Sequence, residues 1–149
     1  MAMTMSGEVQ LAATREQVWA KLNDADVLKQ CIPGCEELNK TSDTEFQAVA
    51  TIKVGPVKAR FKGRVQLSDL DPPNGYRISG EGEGGVAGFA KGAATVKLAE
   101  KDGGTLLAYD VESQIGGKLA QLGQRLVQGT AKKLADDFFA KFAAAVTAN

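Results

Sequence analysis

A chain of 149 residues with 44% hydrophobic content and 18 basic against 18 acidic side chains is long enough to bury a core. It is neither disordered by composition nor charged for general nucleic-acid binding. It holds no histidine and two cysteines. Ser-His-Asp and Cys-His nucleophile systems, and every zinc site that uses histidine, are therefore excluded, and two thiols cannot complete an all-cysteine zinc site.

MAMTMSGEV lacks the basic and apolar regions of a signal peptide, and no run of about 18 apolar residues is long enough to span a bilayer. One cytoplasmic domain over residues 1–149, with reduced thiols, is the expectation. The first strand reads as GEVQLAAT, with Val9 and Leu11 on one face, and residues 1–5 are expected to lie outside the fold. Thr14 followed by Gln17 is a capping box, which predicts a short helix with Val18, Trp19 and Leu22 on its apolar side. Asp24 or Asp26 can cap a second short helix carrying Val27, Leu28 and Ile32, which Pro33 should stop and Gly34 turn.

From about Phe46 the period changes to two. Phe46, Ala48, Ala50, Ile52 and Val54 share a face, and a turn at Gly55-Pro56 leads into a strand from Val57 to Leu67. There Val57, Ala59, Phe61, Gly63, Val65 and Leu67 point one way, and Lys58, Arg60, Lys62 and Arg64 the other. DPPNG at 71–75 is a strong turn; strands from Tyr76, through Ala90–Leu98 and over TLLAYDVES follow, the last two joined by a hairpin turn at 101–104. Leu119, Leu122, Leu126, Thr130, Leu134, Phe138, Phe142 and Val146 then recur every three or four residues. They predict one amphipathic helix of about 30 residues, hinged at Gly116 and Gly117. An antiparallel sheet with one apolar face must be covered, and this helix is the only large cover. The fold class predicted is α+β: a curved antiparallel sheet gripping a long C-terminal helix, with two short helices after the first strand.

The inward rows are small: Tyr76, Ile78, Gly80, Gly82, Gly84 on one strand, and Ala90, Gly92, Ala94, Val96, Leu98 on the next. Close-packed interiors need volume at such positions. Either the sheet bends sharply with the helix close above it, or an internal apolar cavity remains. Aromatic walls would come from Phe46, Phe61, Tyr76, Phe89, Tyr109, Phe138 and Phe142, with Leu28, Ile32, Gly82, Gly92, Leu122 and Leu126 completing the candidate cavity.

Glycines 80 to 85 spell GxGxxG, but inside a meander and beside Glu81 and Glu83, so no dinucleotide loop is read. If Asp69 pairs with Tyr76, Arg64 faces Glu81 and Lys62 faces Glu83, a solvated strand face with cross-strand ion pairs. Lys53, Lys58 and Arg60 are left uncompensated. Together Lys53, Lys58, Arg60, Lys62 and Arg64 form a candidate patch for anionic lipid or an acidic partner. Cys31 and Cys35, four residues apart around Ile-Pro-Gly, read as structural first and as a regulatory disulfide second.

GEVQLAATREQVWAKLNDADVLKQCIPGCEEL, KVGPVKARFKGRVQL and GGKLAQLGQRL resemble the family of carbon monoxide dehydrogenase G subunits, within the START-like, Bet v 1-like (SRPBCC) group of helix-grip proteins. The resemblance spans nearly the whole chain. It implies a non-catalytic accessory protein of a molybdenum-containing carbon monoxide dehydrogenase-type hydroxylase, peripheral at the inner face of the cytoplasmic membrane. It also implies an apolar small-molecule ligand such as a respiratory quinone; with the composition as it is, no metal, no other cofactor and no nucleic acid are expected. Some relatives continue into a linker and a hydrophobic anchor, whereas this chain stops at AAAVTAN. In this fold CIPGC would stand at the cavity mouth, making Cys31, Pro33, Gly34 and Cys35, with Gly117, the expected portal. The competing expectations are a small cyclase or hydrolase of the same fold, working through Tyr76, Tyr109 or a buried carboxylate, and an assembly factor with a packed interior.

Overall fold

The computed structural model describes residues 1–147. Strand β1 (Ala2–Leu11) leads to helices α1 (Arg15–Leu22) and α2 (Ala25–Cys31), then β2 (Cys35–Ser42), β3 (Glu45–Val54), β4 (Val57–Asp71) and β5 (Gly75–Glu83). A 3-10 turn (Gly85–Ala87) precedes β6 (Phe89–Lys101), β7 (Gly104–Gly116), the single-turn α3 (Lys118–Gln121) and the long α4 (Gln124–Thr147). The seven strands form one antiparallel sheet in the order β1-β7-β6-β5-β4-β3-β2. The helices cover the sheet's apolar face, which is the helix-grip arrangement.

Local chemistry accounts for the boundaries. The Gln17 amide donates to Thr14 Oγ1 at 3.2 Å while Gln17 Oε1 accepts from the Thr14 amide at 2.9 Å, so both halves of the capping box form. Asp24, rather than Asp26, caps α2, its carboxylate accepting from the Asp26 amide at 2.9 Å. Pro33 forces Ile32 into extended backbone, φ −75° and ψ 117°, and α2 stops at Cys31. Gly34, at φ +74°, turns the chain so that its carbonyl accepts from the Thr51 amide at 2.9 Å. CIPGC is thus a helix stop joined directly to a strand.

Three expectations are corrected. Residues 2–5 belong to β1: Ala2 pairs with Gln114 and Met5 with Val111, because the β7 edge continues past Gly7 and offers a ladder to fill. The terminal helix is broken. Gly123 adopts φ +98°, a left-handed conformation that ends α3 and redirects the chain into α4, 24 residues and about 36 Å long. At the β4–β5 turn, Lys62 faces Glu83 and Arg64 faces Glu81, but a bulge at Asp69, φ +51°, interrupts the ladder before Asp69 and Tyr76 can pair.

The buried side chains form two clusters. The larger, under α1, α2 and the C-terminal half of α4, holds Leu11, Val18, Phe46, Leu107 and Phe142. The smaller joins Met3, Val54, Ala59 and Ala87 to Leu119 and Val127 of α3 and α4. The fully buried Thr105 donates from Oγ1 to the Ala13 carbonyl at 2.8 Å and fastens the β1–α1 loop to the sheet.

Candidate ligand chamber

Beneath α4, on the side of the larger cluster, lies a cavity of about 290 Å³. Its floor is the sheet, contributed in turn by Met5, Phe46, Val65, Ile78, Ala94 and Val111. Ala135, Phe138 and Phe139 of α4 form its roof, and Leu22, Leu28, Ile32 and Leu38 close the side toward α1, α2 and β2. Tyr76, Val96, Leu107 and Tyr109 complete the wall, which is apolar throughout. The volume stands at the low end of small-molecule sites, roughly 300–1,000 Å³. Larger hollows on the outer face, one of about 520 Å³ bordered by Arg64, Glu81, Lys91 and Glu112, are open and charged.

Rings hold the roof in place. Tyr109 stacks on Phe139 with centroids 4.9 Å apart; Phe139 meets Phe138 edge-on at 5.0 Å, and Phe138 stacks on Phe142 at 5.8 Å. Across the strand pair the Tyr109 ring lies over Gly7, where a methyl group would collide with it. Tyr76 meets Trp19 of α1 edge-on at 5.4 Å, and burial pushes its hydroxyl well above the usual phenol range.

Leu28, Ile32, Phe46, Tyr76, Tyr109 and Phe138 line the chamber. The other expected wall residues do not. Phe142 is fully buried one layer behind Phe138, while Phe61 and Leu122 belong to the smaller cluster. Gly82 is covered by Phe61, whose Cβ stands 3.6 Å from where a Gly82 Cβ would be, and Gly92 lies against the β7 backbone, 2.8 Å from the Glu112 carbonyl by the same measure. The small residues therefore serve close packing more than open volume. Phe89 is on the outer face, since the inward row begins at Ala90, and its ring covers Gly116. Leu126 is exposed and rests against Gly55.

The expected portal is not assembled. Cys31 is sealed in the core and Gly34 packs on Thr51, whereas Gly117 packs on Gly88 of the β5–β6 loop. Half-exposed Cys35 donates from Sγ to the Glu37 carbonyl at 3.4 Å, and Pro33 is half-buried beside it. Both cysteines are free, and burial pushes both thiols up, with Lys141 near Cys31 and Lys29 near Cys35 opposing it. Leu38, Ala135 and Phe139 are wall residues that strand and helix patterning does not single out, and Met5 is one that the expectation for residues 1–5 set aside.

The outer charged row also divides. Arg60 is compensated, against expectation: Glu36, reached from β2, accepts from Arg60 Nε at 3.2 Å and from Thr51 Oγ1 at 2.6 Å. Those bonds, Thr51's first, hold the Glu36 carboxyl below the usual range. Arg64 lies between Glu81 at 3.5 Å and Glu45 at 3.9 Å. Lys53 and Lys58 face each other in register beside the β3–β4 turn, with no carboxylate in ion-pair range among the described residues. Among those residues no three His, Cys, Asp or Glu side chains cluster for a metal, and no helix is long and apolar enough to cross a membrane.

Residues 7–147 match the family model described as the G subunit of carbon monoxide dehydrogenase (CoxG). A conserved protein from Geobacillus kaustophilus is 34% identical, with a TM-score of 0.91 over 97% of this chain and 95% of that one. Ara h 8.0201 superposes with a TM-score of 0.71 at 15% identity, over 100% of both chains. The Zhui aromatase/cyclase from Streptomyces sp. R1128 gives 0.71 at 12% identity, over 99% of this chain and 94% of that one. The last two share the fold alone, which is Bet v 1-like. Among curated proteins none matches the sequence.

Proposed function

The chain belongs to the CoxG family of carbon monoxide dehydrogenase G subunits, and from that premise we propose a non-catalytic carrier. It holds a lipophilic molecule, of the respiratory quinone class, for a molybdenum-containing carbon monoxide dehydrogenase-type enzyme at the inner face of the cytoplasmic membrane. The observation that carries this reading is the apolar chamber, whose floor and roof meet without a carboxylate, lysine or arginine in the wall. Aromatic stacking surfaces and about 290 Å³ suit a planar ring with a short apolar tail. A longer chain would extend beyond it.

The cyclase reading draws less support. General acid–base work needs groups that exchange protons near working pH. Tyr76 and Tyr109 are the ionisable side chains of the wall, and the Tyr76 hydroxyl is driven the wrong way by burial. An assembly factor with a packed interior is disfavoured by the chamber itself.

The test is solvent extraction of the purified protein and mass spectrometry of the extract. Ala94, paired with Ile78 and Val111 across the strands, faces the void, so Ala94→Phe is the filling variant, with Ala135→Leu as a milder second. Wild type should yield a quinone or other lipid at near-stoichiometric amount, and the folded variants should lose it. Equal occupancy in folded variants, or none in wild type after incubation with membranes, would sink the carrier reading.

A further inference from the structure

We propose that an apolar chain carried by the bound molecule leaves the chamber sideways, past Met5, and lies in a groove between β1 and the N-terminal half of α4, across Gly129. The proposal deepens the carrier reading and rests on it. A ring whose chain is longer than about 290 Å³ can hold must place the remainder somewhere. The expected portal at CIPGC does not serve, because Cys31 is sealed in the core and Gly34 packs on Thr51.

Met5 joins two spaces. It lines the chamber, and it also borders an open hollow of about 650 Å³ whose other residues, Gln124, Arg125, Gln128, Gly129 and Lys132, all belong to α4. On either side of Met5 along β1 the interior is shut. Met3 is buried in the smaller cluster with Val127, and Gly7 lies under the Tyr109 ring, which stacks on Phe139. Between them Met5 is only half-buried. An unbranched, flexible methionine is an adaptable stopper, able to swing aside without disturbing its strand.

The helix matches this on its own side. Gly129, Lys132 and Ala135 follow one another at helical spacing, leading from the groove to the chamber roof. Glycine weakens a helix interior relative to alanine, and where it is kept it allows a backbone or ligand to come close. No protein atom stands within 4 Å of where a Gly129 Cβ would be, so the protein itself does not use that space.

The groove suits an uncharged chain better than a charged head group. The Lys132 ammonium is held by Asp136 at 3.1 Å, which leaves its aliphatic stem, like that of Arg125, to offer methylenes. The seam is also lightly tied. The Gln128 side-chain amide donates to the Thr4 carbonyl at 3.5 Å, the outer limit for such a bond, so a chain displacing Met5 breaks little.

Trp19, the only tryptophan, meets Tyr76 of the chamber wall edge-on, so quenching of its emission by a quinone reports a ring inside the chamber. The experiment titrates the full chain with naphthoquinones bearing methyl, butyl, octyl or dodecyl chains. Wild-type affinity should keep rising along the series, by up to about fourfold per added methylene. In Gly129→Phe, whose ring would fill the groove, the methyl compound should bind as in wild type and the rise should stop once the chamber is full. Ala144→Phe, which puts the same ring at an exposed site of α4 outside the groove, should follow wild type. Met5→Ala should release the octyl compound several-fold faster, read by stopped-flow recovery of Trp19 emission. A wild-type plateau at the short chains, a full rise in folded Gly129→Phe, an equal loss in Ala144→Phe, or unchanged release from Met5→Ala would overturn the proposal and leave the carrier reading intact. No quenching by any member of the series would sink both.

Discussion

Cys31 and Cys35 differ in surroundings although one turn joins them. Cys31 is buried among core side chains and Cys35 is half-exposed with its thiol on the Glu37 carbonyl. Only the thiolate is nucleophilic, and burial raises both groups. At pH 8, Cys35 should alkylate more slowly than a free thiol, and Cys31 only as fast as the chain unfolds; mass mapping of iodoacetamide adducts reads both. The raised values also set a pH dependence. Their stabilisation is fully present below the ordinary thiol value, about 8.5, and is lost as pH rises toward the folded-state value. Denaturant midpoints from pH 7.5 to 10 should fall, and fall less in Cys31→Ala. Rapid modification of both native thiols would contradict this placement. At the same scale, the wall residues legible in the sequence sit on regularly alternating strands or on the helix stripe: Phe46, Tyr76, Tyr109, Phe138. Phe89 misleads because its aromatic ring suggests a wall while its phase does not; the row beginning at Ala90 puts it outside. Met5 is in phase with Met3, Val9 and Leu11 and is missed because residues 1–5 are read as lying outside the fold, and Phe139 falls between the positions of a stripe that counts only every third or fourth residue.

Among the elements, strands and turns are legible because a period of two and a turn such as DPPNG leave few registers open. The pairings Lys62 with Glu83 and Arg64 with Glu81 follow from counting back from that turn. The break in the last helix is not legible. Leu119, Leu122 and Leu126 keep helical spacing straight across Gly123, and only the backbone reveals that Gly123 is left-handed. The two glycines of this region therefore respond oppositely to alanine. Gly129, inside α4 with nothing within 4 Å of a new Cβ, should give a gain of about 0.5–1 kcal/mol on Gly129→Ala. Gly123→Ala has equal room, but φ +98° imposes a loss on the order of 1–2 kcal/mol. Denaturant midpoints of the two single variants measure both signs. Two gains would mean the helix runs through without a break.

For the molecule as a whole, the chamber is expensive. At roughly 24 cal/mol per Å³, a sealed and empty apolar void of about 290 Å³ would represent on the order of 7 kcal/mol of packing forgone, an upper bound for this partly open chamber and comparable with the 5–15 kcal/mol by which a typical domain is stable. Larger side chains could recover part of it, and Ala135 is a suitable place: on the roof, in a helix, facing the void. Ala135→Leu adds three carbons, up to about 2 kcal/mol of burial at 0.8 kcal/mol per methylene, whereas overpacking a filled core would cost about 1–3 kcal/mol. Stripped of any lipid, the variant should therefore melt higher than the stripped wild type. Adding a short-chain quinone should raise the wild-type midpoint by linkage and leave the variant unmoved. Thermal scans of both proteins with and without the quinone separate the cases. A stripped variant that melts lower would show that Ala135 faces no usable space. One that melts higher yet still responds fully to quinone would place the ligand elsewhere than in this chamber.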